Sequence, residues 1–167
     1  IGLGYMFAAL ITIYTKSLKQ RFIWLGSILA GIAILQLVVP VPGIGAGVLT
    51  PEGCINGYID RMLVPGRLDG GVFDPEGLLC IVSAVSVTLM GSLAGYILRN
   101  NKTAEMQKVK ILAISGVSAV IVALLLSTFY PIIKACWTGS FNLLTSGIGF
   151  LLITIFYWII DVKGWQK

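Results

Sequence analysis

The run Leu78–Leu98, LLCIVSAVSVTLMGSLAGYIL, carries no Lys, Arg, Asp or Glu. At 1.5 Å per residue a helix of this length reaches about 30 Å, the thickness of a bilayer's hydrocarbon core. Its polar residues are small: Ser83, Ser86, Thr88 and Ser92. A helix that is apolar on every side belongs in lipid or deep among other helices. Four further apolar stretches accompany it: 1–15, 22–39, 111–133 and 141–160. The first is too short to cross a membrane unless it continues upstream. The chain opens inside that apolar run without a Met and reads as a fragment of a larger protein.

Composition agrees with the spans. The 167 residues are 57% hydrophobic and 11% charged, against roughly 25% charged in a soluble domain. The expected fold is all-α: a single polytopic membrane domain over 1–167, with about five spans in contact with a lipid bilayer. The net charge of +5 does not indicate nucleic acid, because the basic residues flank apolar runs rather than alternating with aromatic ones. Histidine is absent and the three cysteines (Cys54, Cys80, Cys136) are scattered, so no metal site is expected.

The connections alternate in charge. Lys16, Lys19 and Arg21 fill 16–21; Arg99, Lys102, Lys108 and Lys110 fill 99–110, opposed by Glu105 alone. The positive-inside rule makes both cytoplasmic. The loop 40–77 and the turn 135–140 then face outward, which puts Cys54 and Cys136 on one side, where a disulfide between them is one alternative. Gly91-Ser-Leu-Ala-Gly95 and Gly147-Ile-Gly149 are small-residue pairs that let helices approach. They read as packing within the bundle, with a homodimer face as the alternative.

Five of the seven carboxylates (Glu52, Asp60, Asp69, Asp74, Glu76) crowd into the outward loop. Some have structural explanations. TPEG (50–53) and DPEG (74–77) both resemble helix starts, with Thr50 or Asp74 as N-cap, Pro at the first helical position and Glu near the positive end of the dipole. TPEG is expected to open a short surface helix through about Leu63, with Ile55, Ile59 and Leu63 on its apolar face. DPEG is expected to open the next span. Asp60 and Arg61 are adjacent on this helix and point apart, so each is expected to pair elsewhere. Two caps do not use five carboxylates and two arginines. The surplus suits recognition of hydroxyls and an amine, as on an amino sugar.

Five segments in order, GYIDRML (57–63), FDPEGLL (73–79), GSLAG (91–95), PIIKACWTGSF (131–141) and DVKGW (161–165), resemble the heparan-α-glucosaminide N-acetyltransferase family. The resemblance implies a membrane acetyltransferase with more spans than this chain carries. It implies acetyl-CoA as co-substrate on the cytosolic side and the amine of a glucosamine-type sugar as acceptor on the other. The family's essential histidine lies upstream and is not in these residues. The likeness to bacterial relatives linked to N-acetylglucosamine use implies a bacterial inner membrane. By this resemblance Tyr58, Asp60, Arg61, Lys134 and Trp137 are substrate-binding residues, Asp74 and Glu76 support catalysis, and Lys163 meets a CoA phosphate or anchors the cytoplasmic end. The family pattern before Lys134 often carries Asn where this chain has Ile133. A solvated carboxylate, with a usual pKa of about 4, is a poor base at neutral pH, so substrate positioning is the expected role of Asp74 and Glu76. An amino-sugar transporter is the alternative. The absence of charge and proline inside the spans counts against it, since transporters place binding groups on broken helices at the midplane.

Overall fold

The computed structural model describes residues 2–165. Six α-helices follow in order: α1 (Gly2–Tyr14), α2 (Leu18–Val38), α3 (Ile55–Leu63), α4 (Leu78–Arg99), α5 (Glu105–Leu126) and α6 (Gly139–Tyr157). α6 runs on as a π-helical turn over Trp158–Val162. Among the described residues there is no β-strand. α2, α4, α5 and α6 with its extension are each long and apolar enough to cross a membrane. α1 is apolar but shorter.

α4 is the central helix, with ten buried residues. α1, α2, α3, α5 and α6 all pack on it. One cluster, around Ala8, Leu25, Val85, Leu89, Leu93, Leu112 and Phe150, joins α1, α2, α4, α5 and α6. The other faces of α2, α5 and α6 expose Ile23, Ile34, Ile114, Leu125, Ile148 and Phe156. In lipid, helices gain little from hiding apolar surface and associate by close packing and interhelical hydrogen bonds instead. The closest packing is between α5 and α6. A Cβ added at Gly147 would lie 2.9 Å from Gly116 O, and one added at Gly116 would lie 3.0 Å from Gly147 O. Gly147 thus bears out the packing expected of Gly147-Ile-Gly149, although a Cβ at Gly149 meets nothing within 4 Å among the described residues. The expected packing of GSLAG within the bundle is corrected: a Cβ at Gly91 or Gly95 meets nothing within 4 Å among the described residues, because Leu93 and Ala94 occupy the packed side of that turn of α4.

Lys16, Lys19, Arg21, Arg99, Lys102, Lys108 and Lys110 gather at one end. Arg21 lies over the Tyr96 ring at 5.9 Å and donates to Thr12 O at 3.2 Å, tying together α1, α2 and the end of α4. Lys108, buried, donates to Leu98 O at 2.7 Å and completes an open carbonyl at the end of α4. This is the basic end of the bundle; α3 and the loop 40–77 form the opposite, cap end.

Several boundaries differ from expectation. α2 starts at Leu18 rather than residue 22, because Ser17 and Gln20 form a capping box. α5 starts at Glu105 rather than 111 and ends at Leu126 rather than 133. The Ser127 and Thr128 hydroxyls donate to Leu124 O and Leu125 O, and Pro131 has no N–H to continue the helix. TPEG forms a turn, with Cys54 N donating to Thr50 O at 2.8 Å, and the N-cap of α3 is Cys54. At DPEG, Asp74 Oδ1 accepts from Glu76 N at 2.8 Å within a turn, while Gly77 is the N-cap of α4.

Candidate functional site

The carboxylate that caps α4 comes from α3. Asp60 Oδ1 accepts from Leu78 N at 2.9 Å, and Asp60 is 0% exposed. Its other oxygen has no hydrogen-bond partner among the described residues. Burial pushes the carboxyl above the usual carboxylate range; the Leu78 N–H opposes this, and the Asp74 charge adds to it. Gly77 is glycine for a steric reason, since a Cβ there would overlap the Asp60 carboxylate.

α3 therefore turns a polar face inward. Asn56 and Asp60, one turn apart, are fully buried, whereas Met62 and Leu63 are 65% exposed. Of the expected apolar face, Ile55 is buried and Ile59 half-buried against the Ile32, Val41 and Leu79 cluster, while Leu63 at its end is exposed. Asn56 Nδ2 donates to Cys136 O at 3.2 Å. Gln36 Nε2, from α2, donates to Asn56 Oδ1 at 3.0 Å and to Cys136 O at 2.8 Å. The Tyr130 hydroxyl donates to Gln36 Oε1 and accepts from Gly139 N. Deeper in the bundle, Asn142 Nδ2 of α6 donates to Ser83 Oγ at 2.7 Å and Ser86 Oγ at 3.0 Å on α4. Thr138 Oγ and Ser140 Oγ both donate to Pro131 O at 2.9 Å. These groups knit α2, α3, α4, α6 and the 127–138 connection into one network. Sequence reading missed Gln36, Asn56, Tyr130 and Asn142; for Gln36 and Asn142 the available signal was an amide inside an otherwise apolar span.

Glu76 and Trp137 come together on top of this network. With Pro75, Cys80, Ile81 and Ala84 they line a crevice of about 10 Å³, which is a contact surface rather than a sugar-sized chamber. Trp137 has φ 47°, the left-handed region, a strain of about 1–3 kcal/mol for a side chain of this size. The turn holds it there: Ser83 Oγ donates to Trp137 O at 2.5 Å, Trp137 N donates to Lys134 O at 3.0 Å, and the ring meets Phe141 edge-on at 5.9 Å.

The remaining expected residues lie around this centre. Glu76 is exposed and Asp74 half-buried. Arg61 is exposed, yet its guanidinium donates to Val72 O and, at 3.2 Å, to Glu52 O, pinning both arms of the loop. As expected, Asp60 and Arg61 pair with other elements and not with each other. Tyr58 packs half-buried against the Ile32, Val41, Ile55 and Leu79 cluster. Lys134 is exposed at the rim. Lys163 is at the far end of α6, stacked 5.2 Å above the Trp158 ring. Cys54 and Cys136 do approach each other, sharing a cluster with Phe73, and both are free thiols. Among the described residues no three His, Cys, Asp or Glu side chains gather as a metal would require.

Comparison with known proteins adds a distant likeness. No family model matches the chain. It is 28% identical, over an alignment of 173 positions that covers 85% of the chain, to heparan-α-glucosaminide N-acetyltransferase of Homo sapiens. It is likewise 28% identical, over an alignment of 160 positions that covers 78% of the chain, to the Mus musculus protein of that name. The chain spans about a quarter of the length of each: 25% and 24%. Over most of its residues, then, this helical membrane chain is similar at a distance to one segment of these N-acetyltransferases.

Proposed function

We propose that the chain is part of a membrane acetyltransferase that moves an acetyl group from acetyl-CoA to the amine of a glucosamine-type sugar. The observation that carries this reading is the 28% identity to the human N-acetyltransferase over 85% of the chain. The basic end faces the cytoplasm and acetyl-CoA, with Lys163 near the cofactor phosphates. The cap end faces the acceptor.

In acyl transfer to an amine, the ammonium must lose a proton and the tetrahedral oxyanion must be stabilised. The cap end supplies one wall of the acceptor site. Glu76 and Asp74 receive the sugar's hydroxyls or its ammonium, the Trp137 ring offers an apolar face to the sugar, and Lys134 stands at the rim. Asp60, Arg61 and Tyr58 act one layer beneath as positioning residues, since their polar groups or rings are engaged in holding DPEG and the loop. The base is assigned to a residue outside this chain, which has no histidine.

The test is an assay of membranes carrying the protein in its full-length form. Labelled acetyl-CoA with glucosamine is expected to give labelled N-acetylglucosamine. Asp74→Asn and Glu76→Gln are expected to lower activity about tenfold or more at unchanged abundance, as loss of a charged contact in the transition state does. Parallel losses of activity and abundance would reduce both residues to structural roles. Labelled sugar accumulating in proteoliposomes without acetyl transfer would favour a transporter.

A further inference from the structure

All three cysteines of the chain are buried at the cap end. Cys54 caps α3, its sulfur accepting from Gly57 N at 3.3 Å and lying 3.8 Å from Pro51 O. Cys136 belongs to the turn before α6, with Sγ 3.7 Å from Leu49 O. The two thiols thus sit on carbonyls two residues apart in one short run, inside one cluster with Phe73. Gln36 and Asn56 both grip the Cys136 carbonyl, so the turn is held against the first turn of α3. Cys80, nearby on α4, has other sulfur partners. Its sulfur accepts from Asn56 Nδ2 at 3.4 Å and lies 3.6 Å from Ala135 O.

We propose that Cys54 and Cys136 form a reversible dithiol–disulfide site that takes a low-molecular-weight disulfide as its oxidant, with Cys54 as the attacking sulfur and Cys136 as the resolving one. The order follows from their surroundings. The Cys54 sulfur sits at a helix N-terminus with the Gly57 N–H aimed at it, which favours the thiolate; the neighbouring Cys136 thiol brings it down to about 6, while Cys136 is itself raised. The Cys54 thiolate attacks one sulfur of the reagent, whose S–S bond breaks and releases one thiolate, which takes a proton from water. Cys136 then loses its proton to solvent and attacks Cys54 Sγ, releasing the second small thiolate. Two protein thiols and one small disulfide become one protein disulfide and two small thiols.

Cys54 is 0% and Cys136 1% exposed, so exchange proceeds through opening of the cap. Once formed, the bond clamps α3 to the turn that carries Trp137. On the proposed topology the site faces the non-cytoplasmic side, where thiol oxidation is favoured; the chemistry does not depend on that reading.

The test is peptide mapping by mass spectrometry of the protein in membranes, after incubation with oxidised glutathione, acid quenching and alkylation under denaturing conditions. The expected result is a Cys54–Cys136 cross-linked peptide, two hydrogens lighter than its parts and reversed by dithiothreitol. Alkylation of both residues should fall about tenfold or more while Cys80 stays fully alkylated. In Cys136→Ser, glutathione should remain on Cys54 as a mixed disulfide. The proposal is overturned by glutathione on Cys136 in place of Cys54, by cross-links to Cys80 in comparable yield, or by full alkylation of all three residues after the incubation. The wild-type map decides the matter even where a variant fails to fold.

Discussion

Asp60 illustrates how one buried carboxylate is better understood by its neighbours than by its charge. It caps α4 through Leu78 N, and burial raises its pKa. The folded state therefore binds this proton more tightly than the unfolded chain. The associated stability is full below the unfolded pKa and is lost as pH rises through the folded one. Asn imitates the neutral carboxyl. Asp60→Asn is thus expected to match the wild type in thermal melts near pH 4 and to melt at the same or higher temperature at pH 7. Asp60→Ala removes the cap and should cost about 1–2 kcal/mol near pH 4, with a smaller loss at pH 7. A wild type that gains stability over Asp60→Asn as pH rises would contradict the assignment. Gly77→Ala should also destabilise, by displacing the Asp60 carboxylate. The motif DPEG signals that a helix follows, and it does. It gives no sign that the capping oxygen comes from a residue 18 positions earlier, because that depends on how α3 folds back.

At the scale of elements, the spans were legible because four of them are long uncharged runs, and length against bilayer thickness leaves little choice. Their ends were less so. Ser17-x-x-Gln20 and, at the end of α5, Ser127, Thr128 and Pro131 are local signals; that Tyr130 then bonds Gln36 across the bundle is not a local one. Helix contacts were the weakest inference. GSLAG carries the conventional small-residue spacing, yet the tight contact is Gly116 against Gly147. Gly147→Ala is accordingly expected to destabilise the protein in detergent by about 1–3 kcal/mol, since the added methyl meets backbone on α5. Gly91→Ala should shift stability by less than about 1 kcal/mol and toward the more stable side, as a helix propensity gain without a clash. Equal losses at both positions would mean that α4 is covered at Gly91.

For the whole molecule, one end is basic and holds Arg21 and Lys108 against helix termini, and the other is a polar cap bonded through amides and hydroxyls. The order of charges along the sequence shows most of this division, because five of the seven carboxylates fall in the loop 40–77 and most lysines in the other connections. What the sequence does not show is which carboxylates are exposed. The fold spends Asp60 on structure and leaves Glu76 beside Trp137, so the acceptor wall we propose is smaller than the acidic cluster. Its central claim is transfer of acetyl from the basic side to an amine on the cap side. Sealed, oriented vesicles carrying the full-length protein test it most directly, with labelled acetyl-CoA on one side and glucosamine on the other. Labelled N-acetylglucosamine is expected when acetyl-CoA is on the basic side and glucosamine on the cap side, and little when the two are exchanged. Equal product in both arrangements, or no acetyl transfer in either, would contradict it.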